Sequence, residues 1–329
     1  MSMKRIFGSY TMAILLLIVL SLALLAIGDI HLSLLTTIKT LFGDSSDRIA
    51  NIVIWDMRMP YIVAALTTGS CLAISGLILQ SLTYNPLVDS SILGVNAGAS
   101  LGAVVLIGLA GIIKAINVDT YLPVAAVFGA LISLLIVGIM NREGSKMQIL
   151  LGGVALTALL NGIILMVELS LNKFDFDKVL VWLSGSFWNL DPGFLTGYAI
   201  AAVILIAITS GFSRELGVLM LGDLTALSLG VNVKFVKRML MLMAIGMAAV
   251  AVSVGGAISL VGLMAPNIAR KMCGSKIQVL LPVTCLIGCV IMLLSTLVAN
   301  NLFLPSVLPV GLVVAVITMP YFLYQLFRY

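Results

Sequence analysis

Residues 61–82, YIVAALTTGSCLAISGLILQSL, contain no charged side chain. A helix crossing the hydrocarbon core of a bilayer needs about 20 predominantly apolar residues, so this segment alone is long enough to span. The rest of the chain has the same character. Of 329 residues, 61% are hydrophobic and only 9% are charged, with a mean hydropathy of +1.22. A water-soluble domain carries roughly 25% charged residues to cover its surface. The composition therefore excludes secreted, cytosolic and disordered classes and predicts an all-α polytopic membrane protein.

Further apolar runs lie at residues 10–27, 92–113, 121–140, 148–169, 194–212, 235–254, 256–272, 277–300 and 307–327, making about ten spans. The first follows Lys4 and Arg5 but ends in no small-residue cleavage pattern, and reads as a retained helix rather than a signal peptide. Ten spans put both termini on one side. That side then carries 12 of the 18 Lys and Arg residues, among them Arg214, Lys237, Arg270 and Lys271. By the positive-inside rule this is the cytoplasmic side. The net charge of +5 is accounted for by this bias, and without a Lys/Arg run or interleaved aromatics it does not indicate nucleic acid.

Two segments fit no span. On the outer side, residues 179–189 (VLVWLSGSFWN) are apolar but too short to cross, and Trp182 and Trp188 suit the headgroup region. On the inner side, LGDLTALSLGVNV (221–233) reads as a helix of about two turns, with Asp223 as N-cap and Gly230 just past its end. So short a helix is unstable alone in water, and Leu224, Leu227 and Leu229 need a surface to bury against. The residues by themselves fit a helix lying on the membrane and a helix inserted into a cytoplasmic partner equally well.

Gly94, Gly98 and Gly102 form a small-residue stripe suited to close helix packing. Gly256, Gly262 and Pro266 interrupt the eighth run, which should kink and need neighbours to satisfy the carbonyl that the proline frees. The second span ends at Gln80 and a polar break, Tyr84-Asn85-Pro86, on the inner face. Two broken helix ends at corresponding places point to a central pathway.

Chemistry-bearing sets are sparse. His31 is the one histidine, no phosphate-binding G-x-x-x-x-G-K-[ST] occurs, and Cys71, Cys273, Cys285 and Cys289 include no CxxC pair. Neither a catalytic set nor a metal-ligand set is predicted. Glu168 falls at an outer end, and Asp89, Arg142 and Arg270 at inner ends, which argues against a cation-coupled carrier.

Residues 58–103 resemble the FecCD-type family, the permease subunits of ABC importers for iron-siderophore, haem and cobalamin. The likeness rests on Arg58, Pro60, Gly69, Gly76, Gln80, Asn85-Pro86-Leu87, Leu93-Gly94 and Gly98-Ala99. A second block (GGAISLVGLMAPNIARKMCG) matches through Gly256, Gly262, Pro266 and Arg270, and a third through Pro309, Gly311, Pro320 and Phe322. The inner loop is similar through Leu221, Gly222, Asp223, Ala226, Ser228, Leu229 and Gly230. Asn267 stands where the family usually has histidine, and Leu227 where it has arginine.

The resemblance implies a type II ABC importer permease occupying residues 1–329 as one transmembrane domain of the cell membrane, non-catalytic itself. It would pair with a second permease subunit and dock two cytoplasmic ATPase subunits, which carry ATP and Mg, through a coupling loop at about 213–236. In that loop Gly222, Asp223, Ala226, Leu227, Ser228, Leu229 and Gly230 would make the contact. Arg58 would dock an extracytoplasmic binding protein. Gln80, Asn85, Pro86, Gly262 and Pro266 would lie on the pathway, and Ser145, Lys146 and Met147 at the inner gate. The implied cargo is a ferric siderophore, with haem or cobalamin as alternatives; an ATPase-independent secondary carrier is the competing class.

Overall fold

The computed structural model describes residues 3–43, 47–113, 117–140, 146–187, 191–303 and 306–327. They form helices joined by short turns, and no β-strand occurs among them. Among the described residues, eight helices are long and apolar enough to cross a membrane. In chain order they are α1 (Met3–Ala26), a run made of α3 (Arg48–Asn51), a π-helical stretch (Ile52–Arg58) and α4 (Met59–Thr83), then α5 (Val95–Ile112), α6 (Val118–Met140), α7 (Lys146–Ser170), α9 (Pro192–Gly211), α12 (Val233–Gly255) and α14 (Ile277–Asn301). The other two expected spans correspond to shorter helices, α13 (Val261–Cys273) and α15 (Val310–Leu326). Thirteen residues rise only about 20 Å, two-thirds of a hydrocarbon core of about 30 Å. The eighth expected span is thus a half-helix preceded by the non-helical segment 256–260.

The remaining helices are short: α2 (Leu34–Leu41), α8 (Lys173–Leu183), α10 (Ser213–Leu219) and α11 (Asp223–Ser228). Of the outer segment 179–189, residues 179–183 complete α8 and 188–190 lie outside the described residues, Trp188 among them. Trp182 is buried among side chains of the core, so its ring is covered by protein.

The core is organised around α4. Its residues from Ala64 to Leu82 are almost continuously buried, consistent with a helix apolar on all sides. Lipid tails are as apolar as leucine, so close packing rather than hydrophobic transfer must hold neighbours to it. Three sites do so. A Cβ on Gly69 would meet the Gly288 carbonyl of α14 at 2.5 Å. A Cβ on Gly76 would fall on the Gly262 carbonyl of α13. Ser75 Oγ donates to the Ala244 carbonyl of α12 at 2.6 Å. Beside this group, Gly98 and Gly102 of α5 face Gly129 and Ala125 of α6. Gly94 lies against α6 as well, its carbonyl accepting from Ser133 Oγ at 2.7 Å. It has φ 75° and ends the 3-10 turn Ser90–Leu93, where α5 begins.

Both chain ends lie near one face. Tyr10 OH of α1 donates to the Val279 carbonyl at the start of α14, and Lys271 at the end of α13 sits over the rings of Tyr321 and Tyr324 in α15. The same face carries the end of α4 and the α10–α11 loop, because Tyr84 OH donates to the Leu219 carbonyl. It is the basic, inner face of the sequence reading.

Replacing Gly76 by alanine should force α4 and α13 apart and cost about 1–3 kcal/mol. Gly138, on an exposed part of α6 with open space around its α-carbon, should accept alanine with no loss and a gain of up to about 1 kcal/mol. Thermal unfolding of the two detergent-purified variants checks the contrast.

Candidate functional site

The inner ends of α4 and α13 meet in a connected set of side chains. Pro266 has no N–H, so the carbonyl four residues earlier, on Gly262, loses its helical donor. Gln80 supplies the replacement: its Nε2 donates to the Gly262 carbonyl at 3.1 Å and to the Leu263 carbonyl at 3.3 Å. The other end of the same amide accepts from Arg270 Nη1 at 2.6 Å. Arg270 also reaches Asn267 Oδ1 at 3.0 Å, and Asn267 Nδ2 donates to the Pro86 carbonyl at 2.9 Å. Gln80, Pro86, Gly262 and Pro266, all expected on the pathway, are therefore brought together. Asn85 adjoins them, its Oδ1 accepting from Leu87 N at 2.9 Å to hold the turn. A cavity of about 480 Å³ opens beside the set, lined by Gln80, Tyr84, Pro86, Met220, Asn267 and Arg270 among others.

Asp89, expected at an inner end, is instead drawn into the interior. Its carboxylate accepts from Ser90 N at 2.7 Å, capping the 3-10 turn, and from Leu260 N at 3.2 Å at the start of α13. Gly262 cannot carry a side chain, since a Cβ would collide with Asp89 Oδ1 and the Leu72 carbonyl. One carboxylate thus fastens the α4–α5 connection to the half-helix. Two described non-glycine residues have positive φ, Tyr84 at 57° and Leu260 at 72°, and they bracket this contact. Backbone strain of this kind persists where surrounding structure over-determines it, and it clusters at working sites.

The inner loop builds a second, adjoining part. Gly222, at φ 105°, is the N-cap of α11, and Asp223 is its first helical residue rather than the cap. The carboxylate faces elsewhere: Asp223 Oδ2 pairs with Lys237 Nζ of α12 at 2.6 Å, and Oδ1 lies 3.3 Å from Tyr84 OH. Burial, and then the neighbouring Asp223 charge, hold the Tyr84 phenol above its usual pKa, so it stays a donor. At the other end, Gly230 N donates to the Leu227 carbonyl and Val231 N to the Ala226 carbonyl, both at 3.0 Å, with Gly230 at φ 82°. This is the Schellman ending that the glycine predicts. Ala226 is fully buried beneath the helix, while Leu224 is 84% exposed, and Leu221, Leu227 and Leu229 are exposed beside it. Ser228 turns its hydroxyl back to the Thr225 carbonyl at 2.9 Å.

Arg58 ends the π-helical stretch and is the N-cap residue of α4, inside the longer run Arg48–Thr83. Its Nη1 and Nη2 donate to the carbonyls of Leu25 and Ile30, both at 2.5 Å, and hold the turn after α1. Of the expected inner gate, Ser145 lies outside the described residues. Lys146 and Met147 open α7, with their side chains likewise outside the description. Sequence reasoning missed the roles of Tyr84 and Asp89. The strained φ of the first and the long-range partner of the second leave no trace in local pattern.

Gln80→Leu should cost about 1–3 kcal/mol by leaving the Gly262 carbonyl without a donor. Gln80→Glu keeps the acceptor facing Arg270 but sets a carboxylate oxygen against the Gly262 and Leu263 carbonyls, and should lose at least as much. Thermal unfolding in detergent orders the two.

Known proteins share this architecture. The family model described as the FecCD transport family matches residues 14–328. The iron(3+)-hydroxamate import system permease protein FhuG of Bacillus subtilis (strain 168) is 34% identical over 95% of each chain. The Fe(3+) dicitrate transport system permease protein FecD of Escherichia coli (strain K12) is 33% identical over 84% of this chain and 85% of its own. A solved structure described as an inward-facing conformation of a metal-chelate type ABC transporter superposes with a TM-score of 0.87 at 26% identity, covering all of both chains. The apolar spans, the half-helix and these likenesses agree, and the chain belongs to the FecCD transport family.

Proposed function

We propose that this protein is the membrane-spanning half of an ATP-driven importer of ferric siderophores in the cytoplasmic membrane. The observation that carries the reading is α11. Six residues do not hold a helix in water unaided, yet this one is capped at its end, paired to α12 and linked to α4, while presenting Leu224, Leu227 and Leu229 outward, exposed among the described residues. A rigidly mounted apolar knob on the basic face suits insertion into a cytoplasmic ATPase subunit better than a place among lipid headgroups.

In this reading two copies, or this chain and a related one, enclose the pathway. Two ATPase subunits bearing ATP and Mg close beneath them, and α11 carries their movement into the bundle as a rigid body. An extracytoplasmic binding protein delivers cargo at the face where Arg58 braces the turn after α1. The relative whose name specifies hydroxamate import makes a ferric hydroxamate the first cargo to test; haem and cobalamin are the alternatives. The metal or chromophore bound to the co-purifying binding protein distinguishes them.

Placing a charge at the tip, as in Leu224→Asp, should abolish capture of the ATPase while membrane insertion and thermal stability stay at wild-type values. Pull-down from membranes co-expressing the ATPase reads the result. Undiminished capture, or uptake by the purified chain alone in vesicles, would contradict the proposal.

A further inference from the structure

Tyr84 has two features that do not belong together in a simple helix terminus. It sits at φ 57° and ψ 29°, in the left-handed region, directly after α4. Glycine is the residue that ends helices there without steric cost, and a bulky side chain at such a position is a genuine outlier. The tyrosine ring is also not idle. Its hydroxyl has one hydrogen, given chiefly to the Leu219 carbonyl at 2.6 Å, with Asp223 Oδ1 at 3.3 Å as the secondary acceptor. One phenol thus grips the segment between α10 and α11 at two points.

What lies behind Tyr84 is equally specific. Four residues before it, Gln80 is bonded to both ends of the inner half of α13, through the Gly262 carbonyl and through Arg270. Two residues after it, the Pro86 carbonyl is held by Asn267 of the same half-helix. Any displacement of residue 84 along the membrane normal is therefore passed to α13 from two sides. The other tie of α11 runs from the same Asp223 carboxylate through Lys237 to α12.

We propose that Tyr84 is the latch that transmits movement of α11 to α4 and the half-helix α13, a positioning residue of the transport cycle retained in an unfavourable backbone conformation for the sake of its hydroxyl. This rests on the importer reading above. Because Lys237 also anchors α11, loss of the latch leaves the helix mounted and able to hold an ATPase while its movement loses the direct route through Tyr84 to α13.

The test uses the assembled complex in proteoliposomes. A cysteine introduced by Ser275→Cys, at the cavity rim beyond α13, reports the position of that helix through its rate of maleimide labelling with and without ATP. In the otherwise wild-type protein ATP should change the rate. Tyr84→Phe removes only the hydroxyl, and Tyr84→Gly removes the hydroxyl and the backbone strain together. Both should shrink the ATP-dependent change by about fivefold or more, the lower range of coupling between sites, with ATPase capture at the wild-type amount. A tyrosine that merely ends α4 predicts the opposite for Tyr84→Gly, which would then behave as wild type or better, and that result overturns the latch. So does an undiminished change in Tyr84→Phe, or capture of the ATPase with no ATP-dependent change in the parent. Failure of the parent to capture any ATPase removes the importer reading itself, a distinct outcome.

Discussion

Inside a bilayer every backbone polar group must find a partner within the protein, and the whole inner half of this molecule is arranged around the place where that requirement is hardest to meet. Pro266 breaks the ladder of α13 and the segment before it has no ladder at all. The carbonyl left over on Gly262 is answered by Gln80, and the amide at the start of the half-helix by Asp89. The buried carbonyl of Ile258 is answered by Asn96 at 3.2 Å. Three polar side chains from the α4–α5 region thus do for α13 what water does for a broken helix in a soluble protein. They also determine where α13 can sit.

This arrangement separates the bundle into parts of different character. Around α4 the backbones touch through Gly69, Gly76, Gly262 and Gly288, and little relative movement is possible without losing those contacts. The faces of α6, α7 and α9 that carry Phe128, Leu159 and Val203 are exposed among the described residues. A tight centre bonded to the inner loop, inside a loosely engaged periphery, is the construction expected of a body that tilts as a unit.

Much of the fold was legible in the residues. Long apolar runs give helices in lipid by length alone, and Gly230 after a two-turn pattern gives its own ending. Pro266 announces a carbonyl in need of a donor, and Gln80 was visible as a polar residue in an apolar helix. What could not be read was the pairing of the two, because residues 182 positions apart meet only through the tertiary arrangement. The same holds for Asp89, whose placement by nearest span end ignored that the connection after α4 turns back into the protein. Asp223 looked like a cap because its type and position suit one, yet Lys237 competes successfully for its carboxylate. The carbonyls that Arg58 serves lie 28 and 33 residues away, beyond the reach of any local pattern.

The π-helical stretch Ile52–Arg58 has a consequence for how the chain tolerates changes in length. Each residue added to or removed from an α-helix turns everything beyond it by about 100°, which in α4 would rotate its glycines away from their neighbours. A π-bulge is a loop of backbone already wound wider than its surroundings, so one residue can be taken out there by tightening the winding. A single deletion within this run would be absorbed upstream of Met59, leaving the buried register of α4 unaltered.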